Sequence, residues 1–145
     1  MKIVLQRVSR ASVTVDGNIT GAIDNGYVTL LGFGEGDNKS KVEKIVDKIQ
    51  KLRIFADENG KTNLSIADVG GDLLIISQFT LYADCKKGNR PSFTDAADPA
   101  LAEELYGYFI EYSKDKFNTV EHGVFSADMK VELVNDGPFT VILEY

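Results

Sequence analysis

The sequence predicts an α+β fold in which antiparallel and mixed β-sheets form a barrel-like core packed by two main helices. Three observations predict it. Residues 1–33, beginning MKIVLQRVSRASVTV, are rich in β-branched residues punctuated by turn residues. Two segments, about 40–52 and 98–116, repeat apolar residues at helical spacing. Between and beyond them lie the apolar run Leu73-Leu74-Ile75-Ile76 and two strand-like stretches at 131–134 and 139–144.

Taken in order, Val4, Val13 and Val15 belong to β-stretches broken at Ser9-Arg10, and Asp16-Gly17-Asn18 supplies the residues of a tight turn into a return strand from Ile19 to Ile23. Asn25-Gly26 leads into a third strand, Tyr27 to Leu31, so the opening reads as an antiparallel meander. Ser40-Lys41-Val42-Glu43 fits a capping box, with Val42, Ile45, Val46, Ile49 and Leu52 forming the apolar face behind it. Lys41, Lys44, Lys48 and Lys51 fall on the other side, where a solvated face is the plain reading and phosphate binding the alternative. A short segment around Leu64 and Ile66 precedes Gly70-Gly71. The run 73–76 is too short for a typical helix and reads as a strand buried on both faces. Asp98 and Pro99 make a good start for the second helix, with Leu101, Leu105, Phe109 and Tyr112 sustaining it.

With 145 residues the chain fits one domain, 1–145, able to bury roughly two thirds of its unfolded surface. No repeat, linker-like tract, signal-peptide pattern or 20-residue apolar span interrupts it. A single cysteine rules out an internal disulfide framework and points to a cytoplasmic home. The net charge of −6 argues on average against a nucleic-acid partner. The charge is uneven, however: residues 1–90 hold 13 Lys/Arg against 11 Asp/Glu, a sum of +2, and residues 91–145 hold 3 against 11, a sum of −8. A local basic face is compatible with that distribution.

Among candidate sites, Gly32-Phe33-Gly34-Glu35-Gly36-Asp37 lies between a strand and a helix, as a phosphate cradle would. Its glycine spacing departs from the dinucleotide fingerprint, and Glu35 and Asp37 repel phosphate, so it reads as a loop. Cys85 and His122 are the only residues of their kinds and thus the one Cys/His nucleophile pair a cysteine-dependent hydrolase could use. No recognised signature surrounds either, and a bystander cysteine is the plainer reading. Nothing is spaced as zinc ligands are, so neither metal nor cofactor is expected.

Ser77-Gln78-Phe79-Thr80 places polar side chains directly after a fully apolar strand, a common location for binding groups; the plain alternative is a strand edge with satisfied hydroxyls. Lys86, Lys87 and Arg90 follow, interleaved with Phe79, Tyr82 and Phe93, a mixture that could hold a single-stranded nucleic-acid end, with or without catalysis. Near the end, Gly137-Pro138 interrupts VELVNDGPFTVILEY, because proline cannot donate to a β-ladder. From the residues alone it is either a turn between the last two strands or a working part.

Together, Ser77-Gln78-Phe79-Thr80-Leu81, Gly88-Asn89-Arg90-Pro91-Ser92-Phe93, Phe125-Ser126-Ala127-Asp128-Met129 and Asn135-Asp136-Gly137-Pro138-Phe139-Thr140 closely resemble the D-aminoacyl-tRNA deacylase family, and the likeness runs the whole chain. One departure is visible: the family more often has a small aliphatic residue in place of Phe139. The resemblance implies a cytoplasmic homodimer that hydrolyses the ester between a D-amino acid and the terminal adenosine of tRNA, with glycyl-tRNA mischarged on tRNA-Ala as a second substrate. It implies that Ser77, Gln78, Phe79 (through its backbone) and Thr80 build the aminoacyl pocket, and that Lys86, Lys87, Arg90 and Phe93 contact tRNA. It further implies that Gly137-Pro138 is a cis peptide inserted from the partner subunit to reject L-amino acids, with the tRNA 2′-hydroxyl assisting and no side-chain nucleophile required.

Overall fold

The computed structural model describes residues 1–145 and contains eight strands and two α-helices. The first strand, β1 (Lys2–Val15), runs unbroken through Ser9-Arg10. It turns at Asp16 and Gly17, both at positive φ, the geometry a two-residue hairpin turn requires. β2 (Asn18–Ile23) pairs with residues 11–15 of β1, and β3 (Gly26–Gly32) pairs with residues 2–8. The expected meander is therefore corrected. β2 and β3 do not pair with each other but follow one another along a single edge of β1, because that strand is as long as both combined.

The first helix, α1 (Lys39–Lys51), buries Val42, Ile45, Val46 and Ile49, as its spacing predicts. Its cap differs from the expected box. Asn38 accepts the Lys41 N–H, while Glu43 accepts a hydrogen bond from the Tyr108 hydroxyl instead of turning back to the helix start. Lys44, Lys48 and Lys51 are exposed as predicted, but Lys41 is half-buried and pairs with Asp37.

A small hairpin, β4 (Arg53–Ala56) with β5 (Thr62–Ser65), covers one side. β6 (Asp72–Ser77) then enters the main sheet parallel to β3. Leu73, Leu74, Ile75 and Ile76 are all buried, so the strand is enclosed on both faces. The second helix, α2 (Pro99–Ser113), starts where predicted, with Asp98 capping the Ala100 N–H and Pro99 in the first turn, where its missing N–H costs nothing. β7 (Val120–His122) lies parallel to β6.

The last strand, β8 (Lys130–Glu144), pairs antiparallel with the opposite edge of β1 along its whole length. The two final strands expected from the sequence are thus one. Gln6 lies opposite Thr140 and Val8 opposite Asn135, so Arg7 alone faces residues 136–139, which loop out as a bulge.

The sheet runs β2-β1-β3-β6-β7 and curls until its ends nearly meet: a Cβ placed on Gly21 of β2 would lie 3.1 Å from the His122 carbonyl of β7. This near-closed barrel has two apolar compartments. Val8, Val13, Val28, Leu74 and Ile76 fill its inside, while Ile3, Leu5, Tyr27, Leu31, Leu73 and Ile75 pack outward against both helices. No helix is long and apolar enough to cross a membrane.

Candidate active site

The largest cavity, about 730 Å³, opens at the carboxyl end of β6. Its lining includes Ser77, Gln78 and Phe79, then Phe93 from the loop after the 3-10 helix (Phe79–Tyr82), Asp98 and Pro99 at the start of α2, and Phe125 to Met129. The volume suits a small ligand, and most of the lining is apolar with a few polar groups.

The floor is held from beneath. The Gln78 N–H donates to the Leu31 carbonyl at 2.8 Å, extending the β3–β6 ladder one residue beyond the strand. The buried Tyr106 hydroxyl, 2.9 Å from the Ile75 carbonyl and 3.1 Å from that of Gly123, shares its proton between β6 and the segment after β7. Burial drives its pKa upward, which keeps it a neutral donor.

Gly32 and Gly34 have a packing reason. A Cβ on Gly32 would meet the Gln78 carbonyl at 2.9 Å, and one on Gly34 would enter the Tyr82 ring, with its hydroxyl 2.5 Å away. The loop reading of 32–37 thus gains a purpose, since its glycines let the 3-10 helix sit close. Asp37, buried in the same loop, accepts from the Met1 ammonium, the Gly34 N–H and the Lys41 ammonium, and ties the sheet edge to α1.

Of the four motif residues, Ser77, Gln78 and Phe79 line the cavity. Thr80 stands exposed at its rim and accepts a hydrogen bond from the Gln78 amide at 2.5 Å. The first helical bond here runs from the Leu81 N–H to the Gln78 carbonyl, so the Phe79 and Thr80 N–H groups precede it and have no partner within the helix. No histidine or carboxylate hydrogen-bonds to Ser77 or Thr80. The Phe79 ring is 59% exposed and meets Phe93 edge-on at 5.1 Å.

Lys86, Lys87 and Arg90 are exposed on a loop closed by the Asp84–Ser92 bridge, outside the cavity lining but on the segment that leads to Phe93. Cys85 shares that loop, exposed, while His122 bonds only the Gly123 carbonyl, so no contact joins the two. No three His, Cys, Asp or Glu side chains gather as metal ligands do.

Gly137-Pro138 is a cis peptide, with Gly137 at φ 135, on the exposed bulge of β8. Neither residue lines the cavity of its own chain. Around the bulge, Asn135 accepts the Phe139 N–H at 2.7 Å, and Arg7 donates through Nε to the Asp136 carbonyl at 3.0 Å and through Nη1 to that of Ile54. Sequence reasoning missed Arg7. The signal was present: in β1 the inward positions run Ile3, Leu5, and an arginine then takes the next inward place. It also missed Tyr106 and the α2 start as parts of the site, which nothing local marks.

Fold and site define an α+β protein that receives a small, largely apolar group at the end of its central parallel strand, without a side-chain nucleophile and base in contact. The model of the family described as D-Tyr-tRNA(Tyr) deacylase matches residues 4–144. Curated relatives named D-aminoacyl-tRNA deacylase include those of Koribacter versatilis, 57% identical, and Clostridioides difficile, 54% identical, each match covering 99% of this chain and 97% of the relative. A solved c-Myc DNA unwinding element binding protein is 42% identical, with a TM-score of 0.94 over 100% of this chain and 99% of that one. A structure described as a probable eukaryotic D-amino acid tRNA deacylase shares the fold, with a TM-score of 0.86 at 15% identity over 98% and 97% of the two chains. The chain belongs to the D-Tyr-tRNA(Tyr) deacylase family and is an enzyme.

Proposed function

We propose that this enzyme hydrolyses the ester joining a D-amino acid to the 3′-terminal adenosine of tRNA, freeing the tRNA, and that residues 1–145 act as one domain of a cytoplasmic homodimer. The observation that carries the chemistry is the cavity floor: Ser77-Gln78-Phe79 beneath a 730 Å³ space, with the Phe79 and Thr80 N–H groups unpaired within their helix. An aminoacyl ester is already activated. Positioned donors at the developing oxyanion and an aligned water therefore suffice, with the tRNA 2′-hydroxyl assisting and the Thr80 hydroxyl orienting rather than attacking.

Stereochemical choice is assigned to Gly137-Pro138 of a second copy. Main-chain carbonyl oxygens standing where an L side chain would project leave room only for hydrogen, so D-amino acids and glycine, including glycine mischarged on tRNA-Ala, enter and L-amino acids clash. Two features support a second copy. The bulge is absent from its own chain's cavity, and β8 is an edge strand without one fully buried residue, exposing Val134, Ile142 and Tyr145. Lys86, Lys87 and Arg90 meet tRNA phosphates, and the exposed faces of Phe79 and Phe93 receive the terminal base.

The test is incubation of the purified protein with matched D- and L-aminoacyl-tRNA and glycyl-tRNA. The expected result is release of D-amino acids of varied side chain and of glycine, with L-esters spared. Comparable hydrolysis of both enantiomers, or an acyl-enzyme trapped on Thr80, would overturn the reading.

A further inference from the structure

We infer that Phe139 is a positioning residue for stereochemical selection, acting through Arg7; the inference rests on the proposed role of Gly137-Pro138. The Arg7 guanidinium carbon lies 5.1 Å from the centroid of the Phe139 ring and 5.9 Å from that of Phe55. The Arg7 side chain is only 13% exposed, although Asp136 beside it is 56% exposed. Phe55 in turn is buried and stacks on Tyr27 at 5.1 Å, at the centre of the larger core. A continuous chain of contacts thus runs from the core through Tyr27 and Phe55 to Arg7, and from Arg7 to Phe139 and the bulge.

Arg7 uses this fixed position on the residues that present the selecting peptide. It donates to the Asp136 carbonyl, and its Nε lies 3.4 Å from the Asp136 carboxylate. It also limits Gly137, since a Cβ there would come within 2.9 Å of Nη2. Arg7 is the only β1 residue opposite residues 136–139, so no ladder hydrogen bonds compete with it in setting that segment. A long guanidinium on a flexible stem has several rotamers. The two aromatic faces leave one, because a weakly hydrated planar cation gains most when both faces are covered. A small aliphatic residue at 139 would uncover one face and free Arg7 to follow solvent, leaving the bulge with the Asn135 bonds alone.

The test compares Phe139→Leu and Phe139→Tyr with the parent, reading the ratio of D- to L-aminoacyl-tRNA hydrolysis and the Arg7 Nε–H resonance by NMR. Leucine keeps most of the packing volume and loses the ring; tyrosine keeps the ring. The expected result is a fall of about tenfold in the D/L ratio for Phe139→Leu, the scale of one lost desolvated cation–π contact. Phe139→Tyr retains the parent ratio, and the ring-current displacement of the Arg7 resonance is lost only in the leucine variant. An unchanged ratio and resonance in Phe139→Leu, in a parent that does discriminate, overturns the inference while leaving the selecting role of Gly137-Pro138 intact. A parent that fails to discriminate overturns that earlier reading instead. Should Phe139→Leu not fold, Arg7→Lys gives the same decision. Lysine keeps the charge but cannot stack or bond bidentately, so its D/L ratio falls if the inference is right and stays if it is wrong.

Discussion

The cavity floor and the Gly137-Pro138 bulge face the same proposed substrate from two subunits, yet they are made rigid by opposite means. Ser77-Gln78-Phe79 ends a central strand enclosed on both faces, paired on both edges and pinned by a buried tyrosine. The bulge interrupts an edge strand, lies exposed, and takes its order from Arg7, Asn135 and Phe139. The floor therefore shares the free energy of the whole fold, whereas the bulge is set locally. Damage to the floor should cost stability and turnover together. Damage to the bulge should cost selectivity with little change in stability.

The harshest test of that contrast is Asp37→Ala, which leaves the buried Met1 ammonium without its carboxylate and the Gly34 N–H without its acceptor. Breaking a buried pair by removing one partner costs about 3–5 kcal/mol, so chemical denaturation should show a loss of that size, accompanied by reduced turnover through the displaced 3-10 helix. Next comes Gly137→Ala. The added methyl meets Arg7 and a backbone angle of φ 135 that L residues rarely adopt. D/L selectivity should fall on the order of 100-fold, the usual consequence of a misplaced positioning group, while Tm moves only a few degrees. Equal losses of stability in these two variants would erase the distinction.

Tyr106→Phe sharpens it from the floor side. Removing the shared proton leaves the Gly123 carbonyl without that donor, for a cost of about 1–3 kcal/mol in thermal unfolding and a parallel fall in kcat. Thr80→Ala should be milder, less than about tenfold in kcat/KM, because only the Gln78–Thr80 bond is lost and no nucleophile is removed.

The smallest effect is in alkaline stability. Burial, with Asp37 and Glu144 nearby, pushes Tyr82 up to about 12, and burial also raises Tyr27 and Tyr106. In the unfolded chain a tyrosine ionises near about 10. Below that value the three contribute no pH dependence; above it the unfolded state loses protons that the folded state keeps, so stability falls as pH rises from about 10 to 12. Tyr82→Phe should flatten that limb in a melting-temperature series. On the acid side Asp57 and Asp68, held low by backbone N–H donors, keep their contribution above about pH 4 and lose it as pH falls further.

The floor was largely legible because its signals are local. An apolar tetrad too short for a helix, followed at once by Ser-Gln-Phe-Thr, already indicates a buried strand ending in polar groups, and Asp98-Pro99 already marks a helix start. The bulge was legible only as an interruption. Gly137-Pro138 read as a turn between two strands, since nothing in residues 131–144 states that both halves pair with the same partner. The cap of α1 failed for a related reason: Ser40 and Glu43 satisfy the local pattern, but Tyr108, 65 residues away, takes the carboxylate.

What the sequence by itself determined, then, is the period of each element, the turn at Asp16-Gly17, the doubly buried strand and, through its motifs, the family. Only the tertiary structure decided that β2 and β3 share one edge of β1, that β8 covers the other, and that Arg7 stands opposite the four-residue bulge carrying Gly137-Pro138. The physical reason is range. Periodicity and turn chemistry act over a few residues, whereas the register that joins Gln6 to Thr140 and Val8 to Asn135 comes from two chain ends meeting, which depends on every element between them.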